Sequence, residues 1–140
     1  MKSVSKNLSL VLSVLALTVL SSCNKKEEGS PVNLDEDAAK RVVGTYKGTL
    51  DATQKYFNAI IVITKESGNK VKIAPKPGEP YSNVTSKTIN VKAIPNSDDV
   101  EAIGTPEGTL AYQHSEKNIL IVTLPGSSDD VTYNFRGTKQ

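Results

Sequence analysis

The sequence predicts an all-β fold: a small eight-stranded antiparallel up-and-down barrel preceded by a short helix. Three observations carry this expectation. Eight short segments alternate apolar and polar side chains within roughly 95 residues, the period of half-buried strands. No amphipathic helical stretch runs beyond about two turns. The connectors are rich in glycine, proline, asparagine, aspartate and serine, and none exceeds about thirteen residues. Short hairpin links favour next-neighbour pairing, whereas a Greek-key sandwich needs at least one long crossover.

The first element is a helix over residues 34–41. Asn33 is placed to cap it, Asp35, Glu36 and Asp37 sit at its positive end, and Lys40 and Arg41 sit at its negative end. In residues 42–50, Val42, Gly44, Tyr46, Gly48 and Leu50 alternate with Val43, Thr45, Lys47 and Thr49, which predicts the first strand. Residues 56–65 follow, with Phe57, Ala59, Ile61 and Ile63 on the face expected to point inward. Ser67-Gly68-Asn69 turns the chain into residues 70–74, where Val71 and Ile73 face inward. Residues 75–80, dense in lysine and proline, form a loop expected to cross an open end of the barrel. The remaining strands are expected at 88–94, 100–103, 109–114, 118–124 and 131–136, with Ile89, Val91, Leu110, Tyr112, Ile121, Tyr133 and Phe135 inward. Eight strands leave an interior just wide enough for side chains or one small ligand. Residues this large are expected to fill it.

Upstream of the helix the chain has a different character. Lys2 and Lys6 give a positive start, Leu8 to Leu20 form an apolar run, and Leu20-Ser21-Ser22-Cys23 closes it. A run of thirteen residues is too short for a bilayer core, which needs roughly 20, and its flanks are those of a cleaved signal. The closing tetrapeptide resembles the bacterial lipobox, Leu-small-small-Cys. The resemblance implies residues 1–22 as a signal peptide and Cys23 as a lipidated N-terminus. Cys23 is the only cysteine, and an unpaired thiol in an oxidising compartment calls for such an explanation. Residues 23–33 are polar and read as a flexible tether, and residues 34–140 as the barrel domain. Asn24-Lys25-Lys26-Glu27-Glu28 resembles the lysine-plus-acidic tag that sends some lipoproteins of Gram-negative bacteria to the cell surface. Outer-membrane attachment facing the periplasm is the alternative.

Val43-Gly44-Thr45-Tyr46-Lys47-Gly48-Thr49-Leu50 after a short helix, with a terminal Tyr133-Asn134-Phe135-Arg136-Gly137-Thr138-Lys139, resembles small lipocalin-like (calycin-like) lipoproteins of such bacteria. In that family a glycine-x-aromatic on the first strand packs beneath a basic residue of the last strand, beside the helix that plugs the barrel. The resemblance implies Gly44 and Tyr46 for the first element and Arg136 for the second, a barrel-closing pair. Tyrosine stands where lipocalins usually carry tryptophan, so the cation–π contact would be weaker.

Chemistry is sparsely supplied. The one histidine, His114, ends a strand next to Ser115 without a nucleophile elbow. Zinc would need several histidines or cysteines, and no glycine-rich phosphate loop is present. Two loops echo one another: Pro95 to Val100 and Pro125 to Val131 each run proline, small polar residues, two aspartates and valine. Asp98, Asp99, Asp129 and Asp130 are thereby candidates for a binding rim at one end of the barrel. Their spacing fits no known calcium loop, so neither a metal nor a cofactor is expected. Without Lys2 and Lys6 the 17 basic residues fall to 15, balancing 15 acidic ones, which argues against nucleic acid. The expected function is therefore that of a membrane-anchored, non-enzymatic lipoprotein. Its partners are the membrane, through acyl chains, and an envelope protein or small apolar ligand. A structural subunit of an outer-membrane complex and an inhibitor of a hydrolytic enzyme are the alternatives.

Overall fold

A computed structural model describes residues 34–104 and 106–140. The expected signal peptide, Cys23, the expected export tag and tether, and the expected helix cap Asn33 lie outside the described residues. The chain runs α1 (Leu34–Val42), β1 (Gly44–Asp51), β2 (Lys55–Ser67), β3 (Lys70–Pro75), β4 (Lys87–Ala93), β5 (Val100–Ala102), β6 (Gly108–Gln113), β7 (Asn118–Thr123) and β8 (Asn134–Lys139). The strands close into one barrel in sequence order, each antiparallel to its neighbours, with β8 pairing back onto β1. The eight-stranded up-and-down barrel behind a short helix is thus the observed fold. Among the described residues, no helix is long and apolar enough to cross a membrane.

Nine residues of isolated helix would not hold together in water. Charges of the expected sign flank both ends of α1, and Ala38, Ala39 and Val42 are fully buried against the barrel, chiefly on β4. Glu36 forms an ion pair with Lys65 of β2. The helix runs to Val42, which the sequence pattern assigns to the first strand. The amide of Val43 still bonds the Ala39 carbonyl at 3.3 Å, and the chain turns only at Gly44, whose φ of 152° suits glycine.

The interior is filled by side chains. Of the residues expected to point inward, Tyr46, Leu50, Ile61, Ile63, Val71, Ile73, Ile89, Val91, Leu110, Tyr112, Ile121, Tyr133 and Phe135 are buried. Phe57 is the exception, 72% exposed on the outer face. Thr49 of β1 stands opposite two residues of β2, Phe57 and Asn58, because the register slips between the pairs Gly48–Ala59 and Leu50–Tyr56. This is a β-bulge, with Asn58 in the left-handed region at φ 58°. One extra residue reverses the face of everything before it, so Phe57 leaves the row of Ala59, Ile61 and Ile63.

The last strand also begins later than its alternation predicts, at Asn134 rather than 131. Side-chain hydroxyls take the place of ladder partners for the residues before it. The Val131 amide donates to Thr85 Oγ1 at 3.0 Å and the Tyr133 amide to Thr123 Oγ1 at 2.7 Å. The loop between β3 and β4 crosses the end far from the helix, where Tyr81 and Val84 are buried. Tyr81 accepts the Ile60 amide at 2.8 Å on its hydroxyl.

Candidate functional site

The helix end of the barrel is closed by a cluster around Gly44. The Tyr46 hydroxyl donates to the Val42 carbonyl at 2.8 Å, satisfying an orphan acceptor of the last helical turn. Lys139 Nζ donates to the Arg41 carbonyl at 2.8 Å. The Lys139 stem lies over Gly44, where a Cβ would sit 2.6 Å from Lys139 Cε. The ammonium is 5.8 Å from the centre of the Tyr112 ring, and that ring meets Tyr46 edge-on at 6.1 Å. Burial lowers the Lys139 pKa, with Lys117 adding like-charge repulsion. Burial raises the Tyr46 phenol above its ordinary value.

The expected pairing of Tyr46 with Arg136 is not made. Inward positions on β8 are Phe135, Gly137 and Lys139, so Arg136 points out, opposite Thr49. The basic residue of the last strand beside the helix is Lys139, whose register partner on β1 is Tyr46. Its charge faces Tyr112 rather than Tyr46.

The two aspartate loops do not share a rim. Alternate strands run in opposite directions, so the β4–β5 loop lies at the helix end and the β7–β8 loop at the far end. At the helix end, Asp98 lies 3.3 Å from the Arg41 guanidinium. Asp99 Oδ1 accepts the His114 amide at 2.8 Å and the Asp99 amide donates to Ser97 Oγ at 3.0 Å. At the far end, Asp129 accepts the neighbouring Ser128 hydroxyl at 3.3 Å. Asp130 accepts the Gly126 amide at 2.8 Å and pairs with Lys87, whose side chain is 3% exposed. Lys87 and then the Gly126 amide pull the Asp130 pKa down to about 2. Asp98, Asp99 and Asp130 thus brace loops and closures. Among the described residues, no group of three or more histidine, cysteine, aspartate or glutamate side chains converges as metal ligands. His114 is exposed, its ring edge-on to Tyr112 at 6.1 Å.

Side-chain alternation missed the larger surface feature. A groove of about 750 Å³ runs over the outer face of β1, β8, β7 and β6, and a second depression of about 470 Å³ continues it towards Phe57. The two share Thr49, Leu120 and Arg136. Short outward side chains (Thr49, Ala111, Thr138) leave a dip between the longer Lys47, Gln113, Leu120 and Arg136. Strands β1 and β8 approach closely on its floor, where Gly48 faces Gly137. Chemically the two depressions together offer three cations (Lys47, Lys55 and Arg136), two carboxylates (Asp51 and Asp99), several hydrogen-bonding groups and the separated apolar side chains of Leu120 and Phe57. No protein-family model, no curated protein and no solved structure matches the chain.

Proposed function

We propose that the chain is a bacterial lipoprotein anchored through acyl groups on Cys23, whose small lipocalin-like barrel is a non-enzymatic binding or accessory module. It works at the outer membrane, exposed at the cell surface if Asn24 to Glu28 acts as an export tag. The observation that carries the binding mode is that the barrel is filled and its ends are covered by its own residues. Ala38, Ala39 and Val42 of α1 cover one end, and Tyr81 and Val84 the other. The buried core on the inside and the grooved face on the outside support a reading in which recognition belongs to the outer surface. The enzyme-inhibitor alternative requires a protruding loop. The segment best placed for it, residues 75–83, is drawn back by the Tyr81 hydroxyl and by the Lys76 amide on the Ile60 carbonyl at 3.0 Å. That favours an accessory role beside a larger envelope protein.

Labelled palmitate fed to cells tests the anchor: it should enter the full chain and be lost in Cys23→Ser. A Cys23→Ser protein that still takes label, or stays in the membrane fraction, refutes it. Native mass spectrometry of the purified chain tests the binding mode, and a stoichiometric apolar passenger would overturn it.

A further inference from the structure

The outer groove has a spacing that selects its occupant. Leu120 on β7, Arg136 on β8 and Thr49 on β1 lie in one cross-strand row, and Phe57 of the bulge stands next in line on β2. Leu120 is 40% exposed and Phe57 72%. Three strand spacings of ~4.8 Å separate these two apolar side chains, about 14 Å in all. Lys47 lies diagonally across from Arg136, because Lys47 faces Thr138 and Arg136 faces Thr49. Among the described residues neither Arg136 nor Lys47 has a carboxylate within ion-pair distance, whereas nearby Lys55 is matched by Asp51 at 3.6 Å and Lys92 by Glu101 at 3.0 Å.

We propose that this groove receives an extended segment of a partner protein with the pattern apolar-x-acidic-x-apolar, crossing the strands from Leu120 to Phe57. The inference rests on the surface-binding reading above and names its partner chemistry. In an extended chain the first, third and fifth side chains share one face. The first and fifth stand about 13–14 Å apart, at ~3.4 Å per residue. That matches the separation of Leu120 and Phe57, and it sets the third side chain over the cation pair. Arginine can grip that carboxylate through two parallel hydrogen bonds. A lipid fits less well, since one anionic head and one continuous tail would need an unbroken apolar wall. Here the apolar side chains stand apart on either side of the charge.

Fluorescence anisotropy on the full chain tests this with labelled peptides carrying Leu-Ser-Glu-Ser-Phe at their centre. Binding should weaken at least tenfold in Arg136→Glu and stay unchanged in Lys72→Glu, a control on the outer face of β3. The peptide with lysine in place of the central glutamate should bind Arg136→Glu better than the unaltered chain. Moving the acid by one position should abolish the preference. Circular dichroism shows that the variants remain folded. The proposal is overturned if no peptide binds, if Arg136→Glu and the unaltered chain bind the acidic peptide equally, or if Arg136 instead controls binding to phosphatidylglycerol vesicles. Palmitate labelling is independent of these outcomes, so loss of the groove and loss of the anchor are distinguishable.

Discussion

Two buried tyrosines should respond in opposite directions to loss of the same oxygen. The Tyr46 hydroxyl donates to the Val42 carbonyl at 2.8 Å, in a residue with no solvent exposure. Among the described residues, the buried Tyr133 hydroxyl has no hydrogen-bond partner. Burial raises both phenol pKa values, so both stay neutral near pH 7 and charge does not enter. Tyr46→Phe removes a hydrogen bond and strands the Val42 carbonyl, a loss of about 1–3 kcal/mol. For a domain of this size each kcal/mol moves the Tm by about 4–8 °C, so a fall of about 4–24 °C is expected. Tyr133→Phe removes a hydroxyl whose unmatched burial costs about 1–3 kcal/mol. Its Tm should hold or rise by several degrees. Far-UV circular dichroism during thermal and urea unfolding of the full chain measures both without relying on the altered chromophores. If Tyr133→Phe falls as far as Tyr46→Phe, the hydroxyl has a partner in solution and the assignment fails.

Gly48→Ala should destabilise by about 1–3 kcal/mol or more, because its Cβ would lie 2.1 Å from the Arg136 carbonyl oxygen, a backbone atom that cannot step aside. Gly68→Ala, in open space at φ 51°, should cost only about 1 kcal/mol, and equal urea midpoints for the two would refute the steric account. The lowered pKa of Asp130 contributes stability that is complete above the ordinary value of 3.8 and is lost as pH falls towards about 2. The Asp130→Asn chain should therefore lack this component of acid sensitivity, visible as a flatter Tm profile from pH 4 to pH 2. Phe57→Ser should shift stability by less than about 0.5 kcal/mol, against about 2–5 kcal/mol for Ile61→Ala; a large loss on Phe57→Ser would place that ring in the core.

Much of the barrel could be read from period-two alternation alone, because each strand has one filled face and one wet face. Pattern and structure part where that period is broken or where a position further along the strand decides. Asn58 gives only a faint warning of the bulge, as one of the few residues that tolerate the left-handed region, and Phe57 went astray with it. Arg136 was recoverable: alternation from Phe135 through Gly137 leads inward to Lys139, so the closing residue lay three positions further on. The separation of the two aspartate loops was recoverable too, since an odd number of antiparallel strands between them forces opposite ends. The pairing of Lys87 with Asp130 was not legible, because nothing in the pattern distinguishes an inward lysine from a solvated one. Nor was the groove, which depends on how closely two glycine-bearing strands approach in space.

The seam between β1 and β8 joins residues near the start of the domain to those at its end: Tyr46 pairs with Lys139, and the Gln140 amide reaches the Thr45 carbonyl at 2.9 Å. Closing so wide a loop comes late and slowly in folding. A chain emerging amino end first would therefore carry two open sheet edges until β8 arrived. Throughout that interval it would be open to edge-to-edge association, and a holding chaperone that covers strand edges would raise its yield more than one that accelerates collapse.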